Sequence, residues 1–186
     1  MAPQLARWAY EAGSPLDEWR FGDESRALDL LTTWIFRSSS EVAYGRWQVA
    51  FDGDAPKGAY VAMPEPDLVA ARRADLLALV TLADGVADLR ERLAEIRDLF
   101  IPVEAADFYL SRIVVESDAR GRGLGAQLLA AVIATAICIG ATAVRADVSA
   151  GNEAAIALYR SLGFNIAPER ISKRAGISYR AVKLAI

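Results

Sequence analysis

Residues 108–141 read FYLSRIVVESDARGRGLGAQLLAAVIATAICIGA, and this stretch decides the fold. The β-branched run that ends at Val115 is typical of a strand, and the apolar run that begins at Leu124 is typical of a helix. Between them, three glycines and two arginines fall within six residues. A strand that leads through such a loop into a helix presents several backbone N–H groups at one point, where the helix dipole adds partial positive charge. The stretch predicts either a loop that binds a phosphate or pyrophosphate, or a plain surface turn with a helix N-cap.

The composition of the loop favours anion binding. Gly121, Gly123 and Gly125 lack the Cβ atoms that would keep an anion away from the amides, and Arg120 and Arg122 add charge-assisted contacts.

Two phosphate-binding motifs compete for this loop. The run GRGLGA fits the dinucleotide pattern G-x-G-x-x-[GA], and Asp147 ends the next strand about where a ribose-binding acid would lie. Against that reading, residues 116–120 separate the first glycine from its strand, and the motif falls at two-thirds of the chain. A Walker loop is excluded because no Gly-Lys-Ser/Thr follows.

The composition narrows the function classes. The 186 residues are 54% hydrophobic and 24% charged, which suits one ordinary domain, and the net charge of −3 argues against a nucleic-acid-binding protein. The chain contains no histidine, which excludes Ser–His and Cys–His catalytic pairs and the usual zinc sites, so we expect no metal. The single Cys138 indicates a reducing, cytoplasmic compartment, and we expect this thiol to be a small buried hydrophobe.

No segment indicates export or a membrane. Glu11 interrupts what would be the apolar core of a signal peptide, and Gly125 and Gly140 break the longest apolar run. The helix between these two glycines is therefore predicted to be buried.

The hydrophobic periodicity predicts an alternation of helices and strands. The predicted helices are 3–12, one capped by Asp23, a helical region over 67–100, 124–139 and 153–162; the predicted strands are 46–51, 58–63, 107–115, 143–148, 164–167 and 177–185.

With its flanks, the loop resembles the signature of the GCN5-related N-acetyltransferase (GNAT) superfamily. Arg120, Gly123 and Gly125 fit the pattern [QR]-x-x-G-x-[GA], and a second block, VRADVSAGNEAAIALYRSLGF at 144–164, resembles the family's asparagine-capped helix with its tyrosine and Leu-Gly-Phe ending. The second block is similar to that of ribosomal-protein alanine acetyltransferases. The resemblance covers residues 107–167.

The resemblance implies an α+β fold, an α/β/α sandwich with a mixed, mostly antiparallel central sheet. Residues 1–186 would form a single acetyltransferase domain with a helical insertion at about 67–100. The strands that end near Val115 and Val148 would run parallel and then splay apart in a V. The pantetheine of acetyl-CoA would enter this gap like an additional strand. The residues implied to bind acetyl-CoA are Ile113, Val114, Val115, Arg120, Gly121, Arg122, Gly123, Leu124, Gly125, Ala126, Asn152 and Tyr159.

The resemblance also implies the reaction, which is direct transfer of acetyl from acetyl-CoA to a primary amine in a ternary complex. The backbone N–H groups of residues 113–115 would stabilise the oxyanion. Tyr159 would be the general acid for the departing thiolate, although its spacing with Ile156 and Leu162 also suits a core residue. Asp147 would be the general base, directly or through water, or a polar strand-end residue. Glu116 is a weaker base candidate.

Several alternatives stay open. Tyr109 and Ser111 are expected on the same strand face as Ile113, where they line the acceptor site or are structural. The N-terminal acids either attract a cationic amine or solvate the surface (Glu11, Asp17, Glu18, Asp23, Glu24). The acceptor is a small molecule, a peptide or a protein N-terminus, and the apolar helix 124–139 could form a homodimer face. The competing functions are a non-catalytic acyl-CoA-binding module and a dinucleotide-binding oxidoreductase.

Overall fold

The computed structural model describes residues 1–82 and 89–186. The α-helices are α1 (Ala2–Gly13), α2 (Leu16–Phe21), α3 (Glu24–Ile35), α4 (Glu65–Leu82), α5 (Leu89–Arg97), α6 (Leu124–Cys138) and α7 (Glu153–Ser161). The strands are β1 (Trp47–Asp52), β2 (Ala55–Pro64), β3 (Asp107–Val115), β4 (Ala143–Ser149), β5 (Asn165–Ile166), β6 (Arg170–Ser172) and β7 (Ile177–Ala185).

The strands form one sheet in the order β1-β2-β3-β4-β7-β5, and β6 also pairs with β7. Strands β3 and β4 are parallel, and the other described pairs are antiparallel. One apolar cluster packs α1, α3 and α4 against one face of the sheet, and a second packs α6 and α7 against the other. The predicted α/β/α sandwich with a mixed, mostly antiparallel sheet is therefore confirmed.

Most predicted elements form close to their expected bounds. The Asp23 carboxylate caps α3 by accepting a hydrogen bond from the Arg26 N–H, as expected. The short elements α2 and β6 were not predicted, because six and three residues carry too little periodicity to be recognised. The 67–100 region contains two helices, α4 and α5, and the part of the prediction that falls on residues 83–88 lies outside the described residues.

A bulge in β3 reverses which face its side chains point to. The register with β2 shifts so that Ser111 is an extra residue between Leu110 and Arg112. Before the bulge, Leu110 belongs to the cluster beneath α6, whereas after it Val114 belongs to the cluster beneath α1. An extra residue in one strand has this effect because side chains alternate with a period of two.

Strands β3 and β4 part soon after they meet. Their parallel pairing covers three residues of each strand, from Asp107 and Ala143 to Tyr109 and Arg145. Both strands then continue, β3 to Val115 paired with β2 and β4 to Ser149 paired with β7. The predicted V-shaped gap is thus present between the C-terminal halves of the two strands.

The helix that was predicted to be buried, α6, is buried on one face only, and the expectation that Cys138 is buried is wrong. Leu128, Leu129, Val132 and Ala136 face the sheet, whereas Cys138 is exposed and the neighbouring Ile137 is 60% exposed. The sequence of α6 does not indicate which face is buried, because the exposed face is also apolar. No helix among the described residues is long and apolar enough to cross a membrane.

Gly58 in β2 allows α6 to approach the sheet closely. A Cβ atom at this position would lie 2.8 Å from the Val114 carbonyl oxygen and 3.2 Å from Leu128 Cδ1. The first neighbour is backbone, which cannot rotate away as a side chain can. We therefore expect Gly58→Ala to reduce the free energy of unfolding by about 1–3 kcal/mol through overpacking.

Urea unfolding measures this difference, and Gly45→Ala is the matched control because no atom lies within 4 Å of a Cβ atom there. Equal stability of the two variants would show that the close contact at Gly58 does not constrain the fold.

Candidate functional site

A cavity of about 590 Å³ lies where β3 and β4 part. Twelve of the residues predicted for the site line it: Ile113, Val114, Val115, Arg120, Gly121, Gly123, Leu124, Gly125, Ala126, Asp147, Asn152 and Tyr159. Most residues that the sequence predicted for the site therefore lie around a single cavity in the folded protein.

The glycine loop gives the cavity an anion-binding wall. Gly121 and Gly123 have φ angles of 72° and 84°, a left-handed conformation that side chains other than glycine rarely adopt. No side chain caps the N-terminus of α6, and its first turn contains no acidic residue. The first N–H groups of the helix are therefore available, together with its positive dipole end, and a Cβ atom at Gly121 or Gly123 would project into open space. These features fit a phosphate group.

Arg120 is fixed beside this wall, because its Nε donates to the Val115 carbonyl at 3.0 Å. Asp118, just before it, forms an ion pair with Lys57 Nζ at 2.7 Å. Arg122 is exposed and is not among the lining residues, so its predicted contact with a phosphate gains no support from the geometry.

The strand hydrogen bonds decide which N–H groups of β3 face the gap. The Glu116 N–H donates to the Lys57 carbonyl of β2. Hydrogen-bonded pairs recur every second residue in an antiparallel ladder, so the N–H of Val114, which pairs with Ala59, also points to β2. The N–H groups of Ile113 and Val115 point to the other side, where β4 has diverged. The prediction of three donors over 113–115 is therefore corrected to two, because the Val114 N–H faces β2.

Helix α7 supplies Asn152 and Tyr159. The Asn152 side chain accepts a hydrogen bond from the Ala155 N–H at 3.0 Å, which is the predicted N-cap. Tyr159 is buried and lies edge-to-face with Phe164, with ring centroids 5.2 Å apart. Tyr159 packs in the core, as one interpretation expected, and it also lines the cavity, so its role as a general acid stays a prediction. Burial, and then the charge of Asp147, raise the pKa of the phenol, which keeps its proton at neutral pH.

Asp147 lies on β4 inside the cavity. Its Oδ2 accepts a hydrogen bond from the Tyr109 hydroxyl at 2.9 Å, and its buried Oδ1 has no hydrogen-bond partner among the described residues. Burial raises the pKa of this carboxyl, while the Tyr109 hydrogen bond and the charges of Arg145 and Arg72 lower it. A carboxylate with one oxygen held and the other unpaired is suited to accept a proton.

Glu116 is not placed to act on a bound molecule. Its Oε1 accepts hydrogen bonds of 2.7 Å from both Gln4 Nε2 and Trp8 Nε1, and the residue does not line the cavity. The carboxylate therefore attaches α1 to the end of β3, and the prediction of Glu116 as a base is corrected to this structural role.

The bulge places Tyr109 and Ser111 on the face opposite to Ile113. Tyr109 belongs to the cluster beneath α1 and the Ser111 hydroxyl donates to Glu41, whereas Ile113 packs beneath α6. The expectation that all three share a face is wrong because it assumed an uninterrupted strand.

An ionic network of the buried Glu41 and the partly exposed Arg72 supports Tyr109 from the α4 side. The Arg72 guanidinium lies 4.7 Å from the centre of the Tyr109 ring, and its Nε pairs with Glu41 Oε2 at 3.3 Å. Burial alone would raise the pKa of Glu41, but Arg72, Arg112 and the Ser111 hydroxyl lower it to about 2. Helix α4 thereby holds the tyrosine that holds Asp147.

The sequence did not point to several polar residues that line the cavity, among them Ser14 and Tyr179, and it offered Glu11 only as one of five N-terminal acids. Tyr179 lies on the last strand, and its oxygen accepts a hydrogen bond from the Leu16 N–H at 3.3 Å. Burial raises the pKa of this phenol to about 12. No local motif marks these residues, since α1 and β7 reach the cavity only through the tertiary fold.

The comparisons with known proteins agree on one family. The sequence model described as the acetyltransferase (GNAT) family matches residues 10–164. The N-acetyltransferase from Staphylococcus aureus Mu50 superposes with a TM-score of 0.71 over 98% of this chain and 94% of its own, at 15% identity. The ribosomal-protein-alanine N-acetyltransferase from Brucella melitensis gives a TM-score of 0.57 over 100% of this chain and 94% of its own, at 20% identity. At these identities the solved structures show a shared fold.

Curated relatives match over shorter stretches. An L-methionine sulfoximine/L-methionine sulfone acetyltransferase of Pseudomonas paraeruginosa is 46% identical over 54 residues, which is 29% of this chain and 31% of the relative. An L-2,4-diaminobutyric acid acetyltransferase of Halalkalibacterium halodurans is 38% identical over 78 residues, 41% of each chain. The matched stretches thus span less than half of these relatives.

The hydrogen bond between Tyr109 and Asp147 predicts a measurable change in titration. This bond stabilises the ionised carboxylate, so Tyr109→Phe should move the pKa of Asp147 further above its ordinary value. Carboxyl ¹³C NMR of protein labelled at aspartate measures the shift, and Asp147→Asn identifies the signal.

Tyr10→Phe is the control, because it removes a hydroxyl that donates to Glu18 at 3.0 Å, at an exposed position. A pKa for Asp147 that stays constant or falls in Tyr109→Phe would contradict the role given to the bond.

Proposed function

We propose, since the chain belongs to the acetyltransferase (GNAT) family, that it transfers an acetyl group from acetyl-CoA to a primary amine. One observation carries the proposal. The cavity between the parting strands joins an anion-binding helix N-terminus to a buried carboxylate and a protonated phenol. This combination suits a phosphate-bearing acyl donor on one side and a proton-releasing nucleophile on the other.

The coenzyme diphosphate is assigned to the N-terminus of α6. The amides of residues 123–126 and Arg120 would hold it, and the open space beside Gly121 and Gly123 gives it room. When bound, acetyl-CoA supplies the activated acyl group as a thioester. The N–H groups of Ile113 and Val115 that face the gap would donate hydrogen bonds to the pantetheine or to the oxyanion. One donor to the oxyanion stabilises the transition state by about 3–4 kcal/mol.

Two side chains move protons in the proposed reaction. Asp147 accepts the proton that the amine loses as its nitrogen bonds to the acetyl carbon, through the unpaired Oδ1 or an intervening water. As the carbon–sulfur bond breaks, Tyr159 donates its proton to the thiolate. No covalent bond to the protein is required, which agrees with a chain that contains no histidine to activate a nucleophile.

The two competing functions differ in their support. The dinucleotide-binding oxidoreductase conflicts with the family match and with β7, which runs antiparallel beside β4 instead of continuing a parallel sheet. The non-catalytic acyl-CoA-binding module would keep the loop but would not need the pairing of Tyr109 with Asp147.

Turnover separates these functions. The purified protein, given acetyl-CoA and a panel of primary amines, should release free thiol and form acetylated amine in equal amounts. Stabilisation by CoA without release of thiol would favour the binding module, and stabilisation by NAD or NADP alone would overturn the proposal.

We also propose that residues 1–186 form one acetyltransferase domain, which the shared sheet beneath both apolar clusters supports. The exposed apolar residues Ile137 and Ile139 support a homodimer contact at α6. The cytoplasmic location and the absence of a nucleic-acid partner stay predictions from composition.

The glycine loop predicts a selective loss of CoA affinity. Gly123→Ala places a Cβ atom in the space assigned to the diphosphate, so we expect the dissociation constant for CoA to rise about tenfold or more. Isothermal titration calorimetry measures this change.

Gly140→Ala is a matched control, since Gly140 has a φ angle of 75° and equally open surroundings at the opposite end of α6. In both variants the left-handed backbone conformation of alanine reduces the free energy of unfolding by about 1–2 kcal/mol. The site is supported only if the affinity for CoA falls in Gly123→Ala and not in Gly140→Ala.

The general acid predicts a loss in the chemical step. Tyr159→Phe keeps the packing against Phe164 and removes the proton donor, so kcat should fall roughly a hundredfold with the affinity for CoA and the melting temperature unchanged. Steady-state kinetics and calorimetry measure the two effects. A normal kcat in Tyr159→Phe with a large loss in Tyr179→Phe would transfer the role to Tyr179.

A further inference from the structure

The acceptor end of the cavity is the part on the α1 side of the sheet, lined by Glu11, Ser14, Ser111, Asp147 and Tyr179. Two of its polar atoms, Ser14 Oγ and Asp147 Oδ1, are buried and have no hydrogen-bond partner among the described residues. Buried polar atoms are normally paired, so unpaired ones that line a cavity indicate groups that a bound molecule would satisfy.

The charge of this end is negative. Glu11 and Asp147 contribute carboxylates, and Arg120 is the only basic side chain among the described residues that line the cavity. Arg120 belongs to the phosphate loop, where its Nε is bound to the Val115 carbonyl.

Two arginines on this side of the sheet, the largely buried Arg112 and the partly exposed Arg72, are already engaged. Arg112 donates from Nε to the Ala9 carbonyl, from Nη1 to the Ser111 carbonyl and from Nη2 to Asp17 Oδ2. Arg72 pairs with Glu41. Arg20 also pairs with Asp17, at 3.4 Å. The carboxylates of Asp17 and Glu41 thus engage these cations, and none of the three arginines lines the cavity.

Glu11 occupies a position that is unfavourable for the helix itself. It lies in the last turn of α1, which contains no basic residue, and the helix dipole disfavours negative charge there. Its ion pair with Arg7 at 3.4 Å is exposed, and such pairs contribute little. A cation bound in the cavity would offset this unfavourable charge.

From these observations we infer that the acceptor is a primary amine with no carboxylate beside its reacting nitrogen. The inference rests on the proposed function. An ammonium group is drawn to Glu11 and Asp147, whereas a carboxylate one carbon away would enter a partly buried site beside two like charges and without a basic partner. The curated relatives are named for amino-acid acceptors, so the inference separates this chain from them.

The test compares acceptors that differ only at this carboxylate. Tyramine should give a kcat/KM at least about tenfold higher than tyrosine, and agmatine the same advantage over arginine, because like charges brought together cost several kcal/mol. Tyrosinamide keeps the substituent on the carbon but not its charge, so it should resemble tyramine. If kcat/KM for tyrosinamide were as low as for tyrosine, the size of the substituent and not its charge would explain the preference for tyramine, and the inference would be overturned.

Variants of Glu11 give a second readout. Glu11→Gln should raise KM for tyramine about fivefold, a modest effect because the side chain is exposed, and should leave KM for acetyl-CoA unchanged. Glu11→Arg should narrow the preference for tyramine over tyrosine, because the new guanidinium gives the carboxylate a partner. Glu24→Gln is the matched control, since it removes the same charge at an exposed position outside the cavity.

A binding measurement keeps the inference testable if turnover fails. Calorimetric titration of the same amines into the protein–CoA complex should rank tyramine and tyrosinamide above tyrosine. Absence of acetylation with this ranking preserved would reject the proposed function and retain the inference about charge. Tyrosine that binds or reacts as well as tyramine would overturn the inference, and so would the failure of every amine to bind.

Discussion

The parting of β3 and β4 after three paired residues is the constraint on which the rest of the structure depends. If the two strands stayed paired to their ends, the N–H groups of Ile113 and Val115 would be consumed in the sheet, and the space between the strands would close. Instead, each strand is held by its outer neighbour, β3 by β2 and β4 by β7. The sheet therefore tolerates a gap in its middle because the hydrogen bonds on either side are complete, and polar backbone groups can face a cavity without loss of the fold.

The two faces of the sheet contribute different residues to the cavity at this gap. The α6 and α7 face provides the helix N-terminus, Asn152 and Tyr159, all of which suit a phosphate-bearing acyl donor. The opposite face provides α1 and the network of Glu41, Arg72 and Tyr109, which meets the gap at Asp147. The carboxylate thus lies where the proposed donor side, next to α6 and α7, meets the proposed acceptor side, next to α1, and it accepts a hydrogen bond from a tyrosine of the acceptor side.

Sequence patterns identified most residues that line the proposed donor side of the cavity and few that line the proposed acceptor side, for a physical reason. The donor side is built from consecutive residues, so that glycine spacing, the Asn152 cap and the position of Tyr159 carry local signals that can be read without the fold. The acceptor side is assembled from α1, β3 and β7, which are distant in the chain, and Glu11, Ser14 and Tyr179 have ordinary neighbours. Glu116 shows the opposite error: its position beside the strand end suggested chemistry, but Gln4 and Trp8 engage its carboxylate.

The N-terminal acids show how burial changes the meaning of a charge. Asp17 has the same local sequence character as its exposed neighbours, yet it is completely buried and compensates Arg112. Neither reading offered by the sequence, attraction of a ligand or solvation of a surface, describes this residue, because a buried carboxylate of this kind is fixed by its cationic partner.

The bulge at Ser111 makes the length of β3 as constrained as its composition. One residue removed there would restore simple alternation, turning Val114 towards α6 and Ile113 towards α1, and the amides that now open into the gap would rotate into the bonds with β2. We therefore expect insertions and deletions in this strand to be rare in relatives that carry out the proposed reaction. A one-residue gap in β3 would then identify homologous copies that have abandoned the reaction.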